Sequence, residues 1–222
     1  ANNHLPGYIG LTFGAAELIL HFGDESLKKT YVPKMLAGTW NGTMCLTEPQ
    51  AGSSLSDIVT SAVPQGDHYL ISGQKIFISG GDYKGVNNVV HLLLARIKGA
   101  PAGTKGISLF VVPKHRPEEG GQLIFNDLVF NDVNTVGDFQ KMGQRGYCTT
   151  HLSFGDQKDC RGWLVGEPHQ GLKYMFLMMN GARIAVGRGA AAIAMAAYRA
   201  SLAYAKERPQ GRKLTSTGKK DV

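Results

Sequence analysis

Residues 44–54 form a strand-to-turn segment with the sequence Met44-Cys45-Leu46-Thr47-Glu48-Pro49-Gln50-Ala51-Gly52-Ser53-Ser54. Its start suits a short strand over residues 43–46. The turn that follows is rich in small residues and offers backbone N–H groups and hydroxyls. Such a turn can donate hydrogen bonds to a phosphate or to the edge of a flavin ring. Composition alone favours the plainer alternative, a polar loop after a strand.

Beyond this segment, short β-type runs alternate with turns. The candidate strands are residues 57–63, 68–71, 74–79, 89–97, 107–112, 123–130 and 149–154. Gln65-Gly66-Asp67 suits a hairpin turn between the first two. The runs at 89–97 and 107–112 are apolar throughout, which is typical of buried strands. Strands this short and this frequent predict a β-barrel or sandwich domain of about a hundred residues.

Helical patterns lie on either side of the strands. Residues 9–22 carry apolar side chains on more than one face, which predicts a helix buried among others. Gly23 is a candidate stop, and Asp24 is a candidate N-cap for a second helix over residues 25–36, with a kink or early end possible at Pro33. From residue 171 to 208 the pattern is almost continuously helical. A helix of that length spans ~57 Å and is too long to bury alone, so it belongs in a bundle.

The predicted fold class is therefore α+β. It comprises a helical lead over residues 1–40, a central β-barrel or sandwich domain over residues 41–165, and a long bundle helix within residues 166–222.

The composition excludes several classes of protein. Of the 222 residues, 43% are apolar and 18% are charged, which is ordinary for a globular protein and excludes disorder. The net charge is +7, and six basic residues against two acidic ones lie in residues 206–222. Because the excess charge is concentrated at one end, we expect no nucleic-acid partner. No uncharged run reaches the ~18 residues of a membrane span.

Cysteine and histidine usage predicts neither a disulfide framework nor a metal site. The chain has an odd number of cysteines, Cys45, Cys148 and Cys160, and no Cys-x-x-Cys pair. Its seven histidines do not show the spacing of metal ligands. A reducing compartment is expected, the cytoplasm or, in a eukaryote, the mitochondrial matrix. Since the chain begins without Met and stops without a closing signal, we expect a fragment.

Four segments carry a family resemblance. Residues 44–54 resemble the Thr-Glu-Pro-x-Ala-Gly-Ser signature of acyl-CoA dehydrogenases. Residues 73–81, Gly-Gln-Lys-Ile-Phe-Ile-Ser-Gly-Gly, are similar to the family's Gly-x-Lys-x-Trp-Ile-Thr-Asn strand. Residues 106–113 resemble its following core strand, and Tyr204-Ala205-x-x-Arg208 resembles the end of its first long C-terminal helix. Residues 180–183 and 208–212 look closest to the branch acting on methylmercaptopropionyl-CoA.

The resemblance implies FAD as the cofactor. The implied cofactor-binding residues are Met44, Leu46, Thr47, Gly52, Ser53, Phe77, Ile78, Ser79 and Arg208. The Thr47 hydroxyl would hydrogen-bond the flavin ring. Phe77 replaces the usual Trp, which keeps an aromatic face and loses the indole donor. Arg208 would reach the FAD pyrophosphate of a neighbouring subunit, although the family's Arg-x-Gln-Phe-Gly pattern lacks its Phe here.

The resemblance also implies an activity in fatty acid metabolism, the oxidation of an acyl-CoA thioester between Cα and Cβ. Ser53 and Arg183 would lie at the substrate. Some branches carry the catalytic base immediately before the Arg that matches Arg183, but Ala182 stands there, so the base is expected outside this chain and no catalytic residue is assigned. An electron-transfer flavoprotein would take the electrons, and the full-length protein would be a homodimer or homotetramer. The three parts become the end of an N-terminal helical domain, a middle β-domain and the start of a C-terminal helical domain.

One alternative belongs to a different class of function. The chain could come from a flavin-binding relative without dehydrogenase activity, such as the DNA-associated alkylation-response flavoprotein. That function needs a broad basic face, which a net charge of +3 over residues 1–205 does not supply. Each of these residues also has a plainer interpretation. Phe77 would be an ordinary core residue, and Arg183 and Arg208 would be solvated charges on a helix.

Overall fold

The protein combines helices with a mixed β-sheet, as a computed structural model describes it over residues 4–82, 84–118, 120–132 and 148–208. Within these ranges the helices are His4–Phe22 (α1), Glu25–Leu36 (α2) and Gly171–Glu207 (α3). The strands are Trp40–Cys45 (β1), Ser61–Gln65 (β2), His68–Ser79 (β3), Asn88–Ile97 (β4), Ile107–Pro113 (β5), His115–Pro117 (β6), Leu123–Phe125 (β7), Leu128–Asp132 (β8), Thr149–Phe154 (β9) and Arg161–Leu164 (β10). The predicted α+β class is confirmed.

The junction between α1 and α2 follows the capping pattern of the sequence. The backbone N–H of Gly23 donates to Ile19 at the end of α1, 2.8 Å away. The Asp24 carboxylate accepts a hydrogen bond from the Leu27 backbone N–H at 2.8 Å, which satisfies a free donor of the first turn of α2. Pro33 lies inside α2 without ending it, since the helix continues to Leu36.

Five of the described strands close a ring. β4 pairs with β5, β5 with β10, β10 with β3, β3 with β2, and β2 returns to β4. The last pairing is parallel, and the others in the ring are antiparallel. β1 extends the sheet beyond β4 in parallel register, while β9 and then β8 extend it beyond β3. The sequence predicted a barrel or a sandwich, and a closed ring of strands is a barrel.

The central strands are buried on both faces. In β4, Leu92 and Leu94 belong to a core that also contains side chains of α1, α2 and the start of α3. Leu93 and Ala95 point the other way, into a second core with Phe110 of β5. Because successive side chains of a strand alternate between faces, two cores require an unbroken apolar run. This is the physical reason for the sequence pattern at residues 89–97.

Several predicted strand bounds were wrong. Residues 57–63 form a strand only from Ser61, after a 3-10 turn over Leu55–Asp57. Residues 68–71 and 74–79 belong to one strand, β3, which passes through Gly73 with a φ of 150°. At that glycine a Cβ atom would lie 2.5 Å from the Thr60 hydroxyl, so the missing side chain permits close approach rather than a break.

The predicted strand over 123–130 is two strands. Leu123–Phe125 pairs with β6, whereas Leu128–Asp132 pairs with β9. Asn126 and Asp127 separate them, and the Asn126 amide donates to the carbonyls of Pro113 and Arg161 at 2.8 and 2.9 Å. β6 and β10 were not predicted, since three or four residues that include His, Pro or Arg show no apolar period.

Helix α3 is 37 residues long, and its first turns belong to the core. Tyr174 and Met175 are buried, and the Tyr174 ring stacks on Phe22 with the ring centroids 4.1 Å apart. The chain divides into two compact units, Ala1–Met179 and Asn180–Val222. In the second unit, the described side chains of α3 are exposed. The assignment of residues 1–40, 41–165 and 166–222 to three domains of a larger protein stays a prediction.

We expect Gly42→Ala to destabilise the fold. Gly42 lies in β1, where a Cβ atom would come 2.7 Å from Ala15 Cβ, 2.8 Å from Met35 Cε and 3.0 Å from Thr12 Cα. Helix α1 and β1 would have to separate, and such overpacking costs about 1–3 kcal/mol. Urea unfolding measures this loss.

The matched control is Gly10→Ala, in helix α1. A Cβ atom at Gly10 would meet nothing within 4 Å. Alanine restricts the unfolded chain and favours the helix, so this variant should gain about 0.5–1 kcal/mol. Equal effects of the two substitutions would contradict the described packing of α1 against β1.

Candidate cofactor site

A cavity of about 150 Å³ lies where α1 meets the ends of β1 and β3. Its walls are Leu11, Met44, Leu46, Thr47, Phe77, Ile78 and Ser79. Six of these were predicted as cofactor residues, from two segments about thirty positions apart in the sequence. Leu11 was not predicted, because the apolar pattern of α1 marks its buried faces and not which residue borders a cavity.

The β1 side of the cavity follows from strand alternation. Met44 and Leu46 are half-buried on the face that Trp40 shares, toward the core of α1 and α2. Cys45 points to the opposite core and is fully buried. Thr47 is half-buried two residues after the end of the strand, and its carbonyl accepts a hydrogen bond from the Ile76 N–H at 2.9 Å. The end of β1 is thus bonded to the neighbouring segment of β3.

The β3 side of the cavity contains a β-bulge. Lys75 pairs with Leu152 and Ile78 pairs with Thr150, so two residues of β3 oppose one of β9. Within the bulge, Phe77 has a φ of 61° and is 53% exposed. A non-glycine residue in this left-handed region costs on the order of 1–3 kcal/mol and persists only where its surroundings hold it.

A buried ion pair joins the two sides. The Lys75 ammonium lies 2.8 Å from Oε1 of Glu48 and donates to the Leu46 carbonyl at 3.0 Å. Lys75 is 0% exposed and Glu48 is 2% exposed. The sequence showed both charges within the two family segments, but it assigned them no role. The feature that could have revealed the pair is a positive and a negative residue placed in two segments that otherwise suit buried strands.

The Glu48 carboxylate is saturated with donors. Besides Lys75, it accepts hydrogen bonds from the backbone N–H groups of Val59 at 2.7 Å and Thr60 at 3.1 Å, and from the Gln50 amide at 2.7 Å. Burial alone would raise the pKa of Glu48, but Lys75 and the hydrogen bonds from Thr60 and Val59 outweigh it and hold the pKa below its usual value. Burial lowers the pKa of Lys75, and Glu48 opposes that shift.

Of the other predicted residues, Gly52 and Ser53 do not line the cavity. Gly52 and Ser53 are exposed in the turn that follows the Glu48–Ala51 bridge. Arg183 and Arg208 belong to the second unit. There, Arg183 donates to the Asn180 side-chain oxygen at 3.2 Å and Arg208 to the Tyr204 hydroxyl at 2.6 Å. Their contacts with FAD or substrate stay predictions.

The described ranges contain neither a metal-binding cluster nor a membrane-spanning helix. These residues contain no group of three or more His, Cys, Asp or Glu side chains placed to hold a metal ion. Among the same residues, no helix has both the length and the apolar character that crossing a bilayer requires.

Comparison with known proteins identifies the family. The family model described as "Acyl-CoA dehydrogenase, middle domain" matches residues 43–157. The ring of strands with its flanking helices is therefore an acyl-CoA dehydrogenase fold. The chain belongs to the acyl-CoA dehydrogenase family.

Curated relatives and solved structures agree. The chain is 44% identical to 3-methylmercaptopropionyl-CoA dehydrogenase of Ruegeria pomeroyi, over 96% of this chain and 35% of the relative. It is 41% identical to a butyryl-CoA dehydrogenase of Syntrophomonas wolfei, over 92% of this chain and 34% of the relative. The chain thus spans about a third of these relatives' length.

Among solved structures, a glutaryl-coenzyme A dehydrogenase in complex with glutaryl-CoA is similar with a TM-score of 0.66 and 27% identity, covering 93% of this chain and 48% of that chain. A chain from work on the electron transferring flavoprotein of Acidaminococcus fermentans has a TM-score of 0.67 and 30% identity, covering 95% and 50%.

Removing the Glu48 charge should destabilise the fold in a pH-dependent way. Glu48→Gln leaves Lys75 buried without a counter-charge, which costs about 3–5 kcal/mol. A lysine whose pKa is lowered on folding binds fewer protons when folded, so stability rises with pH between the folded pKa and the unfolded value of about 10.4. The loss relative to wild type should therefore be largest at neutral pH and shrink toward pH 10.

Urea unfolding of both proteins at pH 7 and pH 9.5 measures this difference. The control is Glu25→Gln, which breaks an exposed pair with Lys28 and should change stability little at either pH. A loss of the same size at both pH values would show that the buried ammonium is not the source of the instability.

Proposed function

We propose that the full-length protein is an FAD-dependent dehydrogenase that oxidises an acyl-CoA thioester between Cα and Cβ. The observation that carries this proposal is the cavity that Thr47 of one family segment lines together with Phe77 and Ser79 of the other. The relatives named as dehydrogenases of methylmercaptopropionyl-CoA and butyryl-CoA support the substrate class. They also favour it over the DNA-associated alternative.

The residues of the cavity fit one edge of a flavin ring. Met44, Leu46 and Ile78 offer apolar surface for the ring, while Thr47 and Ser79 offer hydroxyls for its polar edge. Pockets that enclose a drug-sized ligand measure about 300–1,000 Å³, so a cavity of about 150 Å³ accommodates part of the cofactor. FAD, when bound, supplies the hydride acceptor for the oxidation.

Each wall of the cavity has a proposed task. The Thr47 hydroxyl donates a hydrogen bond to the ring and so stabilises the negative charge of the reduced form. The exposed Phe77 ring gives the flat cofactor an aromatic surface. Met44 and Leu46 exclude water from the same region, which strengthens the Thr47 interaction.

The remaining predicted contacts complete the proposal. Ser53 and Arg183 contact the acyl-CoA, and Arg208 pairs with the FAD pyrophosphate of a neighbouring subunit in a homodimer or homotetramer. Ala182 has no group that accepts a proton. Following the family pattern, we place the base for the α-proton outside this chain. Electrons pass to an electron-transfer flavoprotein. The test is FAD content of the purified full-length protein together with dye-linked turnover of a panel of acyl-CoA thioesters.

Thr47→Val in the full-length protein should lower the midpoint potential of the flavin. Valine keeps the shape of threonine and removes the donor, so the reduced and more negative flavin loses more than the oxidised one. The loss of one such bond amounts to about 0.5–1.5 kcal/mol, and more where a buried acceptor is left unpaired. Thr47→Ser, which keeps the hydroxyl, is the matched control. An unchanged potential and FAD affinity in Thr47→Val would mean that Thr47 only shapes the turn.

The 222-residue chain alone should bind FAD weakly and show no acyl-CoA oxidation. Its cavity surrounds only part of a flavin, and the proposed pyrophosphate contact comes from a second subunit. Fluorescence titration with FAD, beside the full-length protein, measures the difference. Retention of flavin absorbance through gel filtration, together with dye-linked turnover by the chain alone, would contradict this expectation.

A further inference from the structure

We infer that Glu48 and Lys75 are a positioning pair for the cofactor: they hold the end of β1 and the bulge of β3 at the separation at which Thr47 and Phe77 both face the cavity. The inference rests on the proposed flavin-binding function and deepens it. Neither residue lines the cavity. Each is adjacent, or nearly so, to one that does.

Three consecutive residues on the β1 side are bonded to two consecutive residues of β3. The Leu46 carbonyl accepts from the Lys75 ammonium, the Thr47 carbonyl accepts from the Ile76 N–H, and the Glu48 carboxylate pairs with Lys75. The distances are 3.0, 2.9 and 2.8 Å. Two of these three links use the single ammonium of Lys75. Of these three links, loss of that group would leave the backbone hydrogen bond between Thr47 and Ile76.

Glu48 is itself fixed on its other side. Its carboxylate accepts the N–H groups of Val59 and Thr60, which precede β2, and its backbone bonds with Ala51 in both directions at 2.9 and 3.1 Å. The carboxylate therefore fixes the turn after Thr47 to the wall of the barrel. Lys75 is held against an anchored partner rather than a free side chain.

The bulge explains why β3 needs such an anchor. Phe77 lies two residues after Lys75 with a φ of 61°, inside the irregular pairing with β9. Because side chains of a strand alternate between faces, a bulge that relaxed into regular pairing would turn the following side chains to the opposite face. Lys75 is fixed on one side of Phe77 and Ile78 is paired on the other. These two constraints prevent the bulge from relaxing into regular pairing.

An ion pair suits positioning better than stability. Replacing a buried ion pair by apolar side chains of similar volume is often neutral or stabilising, because both charges lose their hydration. Charge-assisted hydrogen bonds, however, are short and directional, whereas apolar surfaces slide at little cost. The Glu48–Lys75 pair lies between the two cavity-lining segments. Its hydrogen bonds go to those segments and to the backbone that precedes β2, so it can fix the distance between them.

The experiment uses the full-length protein and the variants Lys75→Met and Glu48→Gln, alone and combined. Wild type must first bind FAD, since its failure to do so would overturn the proposed function rather than this inference. Each single variant should lower FAD affinity at least tenfold and lower the flavin midpoint potential, because Thr47 no longer meets the reduced ring. A tenfold larger loss for reduced than for oxidised flavin equals about 30 mV for a two-electron couple. The double variant should lose no more affinity than the worse single variant.

The control for a merely structural effect is Arg116→Met. Arg116 is buried and bonds to Asp159 at 2.8 and 3.0 Å, outside the cavity. It should lower stability in urea while FAD affinity stays within twofold and the potential is unchanged. If Glu48→Gln does not fold, Glu48→Asp keeps the charge, withdraws it by one methylene, and should show a smaller shift of the same sign. Variants that lose stability but keep wild-type FAD affinity and potential would overturn the inference.

Discussion

The Lys75 ammonium and the Glu48 carboxylate are both buried, and they form an ion pair between the end of β1 and the bulge of β3. The free energy of such a pair is a small difference between a large desolvation penalty and a large attraction, so it tolerates little change in geometry. Glu48 meets this demand with donors from the backbone of residues 59 and 60, and Lys75 meets it with the Leu46 carbonyl. The turn, the barrel wall and the bulge are therefore constrained together. The same constraint acts on the residues of these segments that line the cavity.

Burial on both faces of the barrel strands explains where this cavity can form. One face of β4 and β5 meets the side chains within the ring, and the other is covered by α1, α2 and the first turns of α3. Side chains of the two cores cover both faces of these strands. The candidate cofactor cavity lies instead at the ends of strands, where regular pairing stops. β1 ends at Cys45 and β3 at Ser79, and α1 supplies Leu11 as the third wall.

Much of this could be predicted from the sequence, for identifiable reasons. The Asp24 cap and the continuous runs of β4 and β5 are local signals, and local signals predicted them. Six of the seven residues that line the cavity are those that the family resemblance proposed for the cofactor, because the resemblance ties distant segments to one ligand. The Glu48–Lys75 pair was not, because a sequence shows that a residue is charged but not what it meets. β10 was missed because the strands it pairs with, β3 and β5, are distant in the chain. β6 pairs with the nearby β7, and it was missed because its three residues show no apolar alternation.

The closure of the ring has a consequence for how the protein is made. β10, Arg161–Leu164, is the strand that joins β5 to β3, and it is also the last strand of the described chain. Until a ribosome has released it, β3 and β5 each keep an unpaired edge, and open edges are templates for association with other chains. Some fifty residues separate β10 from β5, so the barrel closes through a distant contact rather than a local one. A four-residue strand thus determines when the open edges of β3 and β5 become paired.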